Sequence, residues 1–414
     1  MSRVHHWRAQ LVAVMLAAGA RAQQPVPTLF LAPDLRLDGK GLGTGAMPVV
    51  ELKSVGPDGR MIVTVYGGEM RAFDSTGKSL GWKISVGMSR NSDIGWIERT
   101  GWTGSALWIA DPQFQQVVPI DARGTLGKSI PYPTWVRPTW AERRKYPLFG
   151  YLDPFAVYAD RSLLVRPRGP RALLDTPGFD RSIAHLLRID ADGVIQREVA
   201  RFETGGAGRF TVPGDGRIEH TITAPFYDPP HWGMSADGQR FMIASPGVVP
   251  HDSGTVRVVA IGANGDTIFT RRYPSPSVRV TKAMADSALA KVQEFGSTPA
   301  AVVRAQLVPK IPLFKSFITG FIVGLDHSAW IISRPVSDTA VARDALIIDE
   351  RGEPIATVRM PTGLTSFFAD RAHLWGVERG GRALVRLKLQ ATPPPPEPTP
   401  SPPARSVKAS AAKG

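Results

Sequence analysis

The residue types that carry chemistry are present in this chain, but seldom at a chemical spacing. Its eight histidines are His5, His6, His185, His220, His231, His251, His327 and His373. No pair has the H-E-x-x-H arrangement that puts two imidazoles on one helix face around zinc. His220, His231 and His251 form the one concentration, a candidate for a catalytic or metal-binding group. No G-x-S-x-G elbow presents a nucleophilic serine, and no G-x-x-x-x-G-K-[ST] loop cradles a phosphate. GLGTG at 41–45 and GGAG at 205–208 are not followed by a helix-opening pattern and read as loops. Cysteine is absent, which excludes disulfides, thiolate metal sites and cysteine nucleophiles.

One segment stands out for binding chemistry, SIPYPTWVRPTWAERRKYPLFGY at 129–151. Tyr132, Trp135, Trp140 and Tyr146 alternate there with Arg137, Arg143, Arg144 and Lys145. Aromatic faces interleaved with guanidinium groups stack on sugars, on peptides or on one another. The segment reads either as a recognition surface or as a Pro-rich loop whose rings pack downward.

What positions these residues is a repeat. A polar turn followed by a short apolar strand recurs as DGRMIVTV (58–65), GSALWIAD (104–111), DRSLLVRP (160–167), DGQRFMIASP (237–246), DHSAWIISRP (326–335) and DRAHLWGVE (370–378). The apolar runs suit strands buried on both faces. A second signature alternates with it, a strand ending in D-x-x-G: MRAFDSTG (70–77), VVPIDARG (117–124), LLRIDADG (186–193), VVAIGANG (258–265, Gly262 replacing Asp) and ALIIDERG (345–352). Asp accepts bonds from the turn's backbone N–H groups and Gly supplies positive φ, so the signature predicts a hairpin. A further apolar segment precedes each first signature, for example VVELKSV (49–55), FAVYA (155–159), HWGMS (231–235) and ITGFIVGL (318–325). Four strands per unit and six units predict an all-β, six-bladed β-propeller. Five or seven blades are the alternatives. The sixth unit stops at ALVRLKL (383–389), and Thr28–Leu37 is free to supply its outer strand.

Residues 280–312 break the pattern with a helical insertion. Thr281 is a candidate N-cap, Thr298-Pro299 would cap and start a second helix, and Met284, Ala288, Val292 and Phe295 share a face. The insertion reads as helices packed over one end of the propeller, or as a lid.

The ends of the chain are different in kind. Arg3 and Arg8, the apolar run Leu11–Ala20 and Ala20-Arg21-Ala22 read as a signal peptide over residues 1–22. The propeller then occupies 23–391. The absence of a cysteine at the cleavage site implies a periplasmic or secreted chain rather than a lipoprotein. No later stretch reaches the 18 apolar residues a membrane helix needs. Residues 392–414, with PPPPEPTPSPP, read as a polyproline tail, either an inert linker or a docking segment. The net charge of +14 is spread along the chain. It favours solubility and weak attraction to anionic surfaces, and export argues against nucleic acid as a partner. A monomer is expected.

The paired signatures resemble the six-bladed propellers of the NHL and TolB-like superfamily over about 28–390. The resemblance implies ligand binding where loops enter the innermost strands. Metal-dependent hydrolases of this kind hold calcium there. The matching positions here are Arg90, Asn91 and Asp93, then Asp153, then Asp228 and His231, then Lys315. Asn91, Asp93, Asp153, Asp228 and His231 are therefore the candidate calcium ligands, although no cofactor is otherwise expected. The function expected is non-enzymatic binding of a protein, peptide or glycan through the loop face. A calcium-dependent lactonase- or esterase-like hydrolase and an envelope-associated structural component are the alternatives.

Overall fold

The computed structural model describes residues 26–42, 49–65, 68–87, 89, 92–131, 151–168, 183–205, 208–213, 219–246, 254–275, 278–315, 318–334, 342–361 and 363–393, and structural statements are confined to them. The leader at 1–22, Asn91, His251, the aromatic segment 132–150 and the tail beyond Pro393 lie outside the described residues.

The apolar runs of the repeat form strands, as their lack of alternation demands. Met61–Val65 is buried at every position. Each run pairs on both sides, giving four four-stranded antiparallel sheets in chain order. Sheet 1 holds Val49–Val55, Met61–Val65, Glu69–Phe73 and Ile84–Ser85. Sheet 2 holds Arg99–Thr103, Ala106–Asp111, Gln116–Ile120 and Ile130–Pro131. Sheet 3 holds Tyr151–Val157, Leu163–Arg168, Ile183–Ile189 and Ile195–Glu203. Sheet 4 holds His231–Met234, Arg240–Pro246, Thr255–Gly262 and Thr267–Pro274. An eight-stranded sheet follows, built from two halves. One half is Ile318–Val323, Ala329–Ser333, Ala342–Ile348 and Pro354–Pro361. The other is Leu364–Ala369, His373–Glu378, Ala383–Gln390 and Thr28–Asp38.

Thr28–Asp38 runs antiparallel to Ala383–Gln390, from Phe30 opposite Gln390 to Asp38 opposite Ala383. Its first residues, Thr28 to Phe30, also run parallel to Thr357–Arg359 and so join the two halves. Pro33 cannot donate to a ladder and sits at a register shift, where that loss is tolerated. Asp34, at the same bulge, meets Arg386.

The D-x-x-G turns behave as their chemistry predicts. The Asp74 carboxylate accepts from Thr76 N and Lys78 N, both at 2.9 Å, and Gly77 takes φ 88°. Asp121, Asp190 and Asp349 do the same in their own hairpins. Where Gly262 replaces the Asp, backbone bonds alone hold the turn: Gly262 N to Asp266 O and Gly265 N to Gly262 O.

Adjacent sheets pack face to face through apolar clusters, as between sheets 1 and 2, where Met70, Trp82, Trp102 and Ile109 meet. The first strands of neighbouring sheets touch in chain order, and Leu364–Ala369 returns to Val49–Val55. The architecture is a propeller-like arrangement of four-stranded sheets around one axis.

A satellite sits on this body. Arg209–Pro213 and Glu219–Thr223 form a hairpin between sheets 3 and 4 that the strand pattern did not predict. The helical insertion contains α1, Lys282–Ala290, and α2, Ala300–Leu307. Thr281 caps α1 by accepting from Met284 N at 3.2 Å. At α2 the expected cap is displaced by one position. Pro299 occupies it with no side-chain bond, while Thr298 is tied back to Phe295 in a tight turn. The hairpin and helices share one small core, in which Val212 and Ile222 meet Val303 and Leu307. No helix among the described residues is long and apolar enough to cross a membrane.

Candidate functional site

The first strands of the sheets, Leu364–Ala369 among them, contribute to the lining of a common space. That space is a cavity of about 460 Å³. Its walls are aromatic and apolar on the sheet 3, sheet 4 and eight-stranded sides: Phe155, Trp232, Met234, Phe321 and Phe367. They are polar on the sheet 1 and sheet 2 sides, where Glu51, Lys53, Glu98, Arg99 and Thr100 lie. Lys53 bonds Glu51 at 2.5 Å.

Behind Arg99 and Phe155, which line the cavity, lies Asp153. This carboxylate is fully buried and takes Arg166 at 2.7 Å and Arg99 at 3.5 Å. The guanidinium groups are in turn laid on rings: Arg99 on Phe155 at 3.8 Å, and Arg166 on Trp232 at 5.0 Å. Phe155 and Trp232 touch one another at 5.3 Å between centroids. Two cations on one carboxylate satisfy the charge that burial would otherwise penalise.

Trp102 donates its backbone N–H to Ala236 O at 2.7 Å, tying sheet 2 to sheet 4 although sheet 3 lies between them in sequence. Gly101 permits this approach, since a Cβ there would lie 2.3 Å from the Trp108 ring and 3.0 Å from Ala236 O. The satellite meets sheet 4 at the start of its first strand, beside Asp228 and Pro230.

The described sequence-derived candidates do not converge, and none of Asp93, Asp153, Asp228, His231 and Lys315 lines the axial cavity. Asp93 is exposed and closes a local turn, accepting from Ser85 N at 2.8 Å and Ser85 Oγ at 2.7 Å. Asp153 is the buried partner of the two arginines. Asp228 pairs with Arg334 at 3.4 Å. His231 lies beside that pair. Burial pushes its imidazole below the ordinary value, and Arg334 adds to this while Asp228 opposes it. Its Nε2 is buried without a hydrogen-bond partner among the described residues. Lys315 lies over the Phe226 ring at 6.0 Å. Arg90, Asn91 and the aromatic segment with Tyr132, Trp135, Arg137, Trp140, Arg143, Arg144 and Tyr146 lie outside the described residues. Among the described residues no group of three or more His, Cys, Asp or Glu is placed to hold a metal ion.

The other described histidines are occupied by the fold. His185 Nδ1 meets Glu198 at 2.8 Å and His327 Nε2 meets Asp237 at 2.9 Å. Burial raises the Asp237 carboxyl, but the bonds from His327, Ser235 and Gln239 outweigh it and hold the group below the usual range. His220 stacks on Phe295 within the satellite.

Two features escaped sequence reasoning. One is a second cavity of about 650 Å³ where the satellite meets sheet 4, walled by Phe226, Tyr227, Pro246, Pro312 and Phe314. Tyr227 lies over Gly208, whose missing side chain makes room: a Cβ there would lie 2.0 Å from the ring. Burial, with Glu203 nearby, pushes the Tyr227 hydroxyl up to about 12. The GGAG stretch was the available signal, because a glycine with no helix after it often marks a close approach. The other is a pair of exposed rings, Trp96 and Phe114, on sheet 2.

No protein-family model matches the chain, and no curated protein matches it. Solved structures do. A DUF4221 family member from Bacteroides vulgatus is 11% identical over 87% of this chain and 98% of that one, with a TM-score of 0.43. A catalytically inactive virginiamycin B lyase from Staphylococcus aureus, with quinupristin, is 10% identical over 86% of this chain and 99% of that one, at 0.38. A gluconolactonase from Xanthomonas campestris is 12% identical over 89% and 99%, at 0.34. At these identities and scores, none of them assigns an activity to this chain.

Proposed function

We propose that this chain is an exported, non-enzymatic, six-bladed β-propeller that binds a protein, peptide or glycan at its open, loop-bearing end. Thr28–Asp38 serves as the outer strand of the sixth blade, and residues 1–22 as a cleaved leader. The observation that carries the binding reading is the axial cavity. It has aromatic walls, and its lining residue Arg99 is held from behind by the buried Asp153, which also takes Arg166. Rings and paired charges of both signs suit recognition of an amphipathic ligand. A carboxylate held by two arginines is poorly disposed to ligate calcium, which takes six to eight oxygen donors.

The test is affinity capture on the immobilised protein, repeated with Trp232→Ala and Phe321→Ala. A bound ligand lost in both variants supports the reading, and undiminished capture by both would remove the cavity from the binding surface. Calcium-dependent hydrolysis of a lactone or ester panel would favour the hydrolase alternative instead.

A further inference from the structure

Four charged residues line the axial cavity among the described residues, and two first strands bring them together. Glu51 and Lys53 come from Val49–Val55, and Glu98 and Arg99 from the start of Arg99–Thr103. The two stretches are tied to one another, since Thr100 Oγ1 donates to Lys53 O at 2.8 Å. Two carboxylates therefore accompany two cations, and this wall carries no net charge. The ions behind it, Asp153 and Arg166, cancel as well. Lys53 and Glu51 do not saturate each other. The ammonium has three donors and, among the described residues, uses one of them on Glu51 at 2.5 Å. The Glu51 side chain keeps 46% of its surface exposed, with its second oxygen outside that bond.

The remaining walls are uncharged. Phe155 touches Trp232, and Phe321, Leu325 and Phe367 continue the lining. Gly233 lets the first strands of sheet 4 and of the eight-stranded sheet close up there, since a Cβ on it would lie 2.9 Å from Val323 Cγ2. A volume of about 460 Å³ is that of a small-molecule site and not of a protein interface. Apolar walls favour an apolar body that displaces water from them. They also strengthen charge interactions on the polar side, because little water is left to screen them. A ligand of one sign would face as much repulsion as attraction on a wall of zero net charge. A ligand carrying one charge of each sign is matched by it.

We infer that the axial cavity takes a short apolar peptide of two or three residues with both ends free. Its α-carboxylate accepts from Lys53 and Arg99, and its α-ammonium donates to Glu51. Its side chains lie against Trp232, Phe321 and Phe367. A quaternary ammonium has no N–H to give and would need open ring faces, whereas Phe155, the ring beside these charges, is already covered by Arg99. A neutral glycan would leave all four charges without a counterpart. The inference rests on the cavity being the binding site, and narrows its ligand to one class and size.

The test is calorimetric titration of the full protein with the peptides Phe-Leu and Phe-Leu-Phe, each with free ends and each as its N-acetylated amide. At least one free-ended peptide binds, and capping its ends weakens it about tenfold or more. Glu51→Gln and Lys53→Met each weaken the free-ended peptide while the melting temperature stays unchanged, because both side chains keep exposed surface. Failure of both free-ended peptides to bind overturns the assignment. So does equal binding of the capped forms, or binding indifferent to both substitutions. If no peptide binds while affinity capture is still lost in Trp232→Ala and Phe321→Ala, the peptide assignment fails and the cavity remains the binding site. If capture is undiminished in those variants as well, both readings fall.

Discussion

The guanidinium of Arg99 lies on the face of Phe155, its central carbon 3.8 Å from the ring centroid. The same group reaches Asp153 with Nε, while Arg166 holds the other carboxylate oxygen and leans toward Trp232. Charge, ring and carboxylate therefore form one block that fixes the wall of the axial cavity. Its members come from sheets 2, 3 and 4, so it also sets the spacing between those sheets.

Replacing Asp153 with Ala leaves two arginines facing each other with no counter-charge in a mostly buried place. The expected loss is about 3 kcal/mol of stability. It is read from the denaturant midpoint at an unchanged m-value.

His231 makes the protein sensitive to mild acid. Its imidazole is held below the ordinary value of 6.5, chiefly by burial. When the pH falls below that value, the unfolded chain takes up a proton that the folded chain resists, so stability drops. Above it both states are neutral and the residue contributes no slope. Melting temperatures measured from pH 7.5 to about 5 should fall, and His231→Gln should flatten the fall. Carboxylates held below their usual range, such as Asp237, lose their contribution only at lower pH and do not confound this window.

Calcium should leave the melting temperature where EDTA leaves it. An ion present at about a hundredfold over its dissociation constant would add about 2.7 kcal/mol, a shift of several degrees. A shift of that size would support a calcium site at the loop end.

Removal of residues 26–38 uncovers the edge of Ala383–Gln390 and separates the two halves of the eight-stranded sheet. The shortened chain should associate through that edge. Light scattering coupled to size exclusion would show oligomers where the intact chain is expected to show a monomer.

Gly208→Val drives a side chain into the Tyr227 ring. The satellite should loosen from sheet 4 while the sheets persist, giving early proteolysis within 209–223 and an unchanged main melting transition.

The parts of this molecule that are local in sequence were legible in it. Asp74, Asp121, Asp190 and Asp349 each bond backbone groups two and four residues ahead, so their hairpins are written in five letters. The first strands were found because their apolar runs precede those turns. Contacts between distant segments were not legible. Nothing near Asp153 in sequence shows its bond with Arg99, which lies 54 positions earlier. Asp111 looked like the last letter of a strand, and its four donors come from two loops. The hairpin at 209–223 owes its burial to helices about 80 residues later, through Val303 and Leu307.

The pairing of Thr28–Asp38 with Ala383–Gln390 sets a clock on the chain's birth. Arg36 and Glu378, which bond across this sheet, are 342 residues apart. At about 5–20 residues per second, the first strand waits roughly 20–70 s for its partner to be made. Throughout that interval it is an unpaired apolar ribbon, open to chaperones and proteases. A message cut short before Ala383 yields a chain with nowhere to put its own beginning.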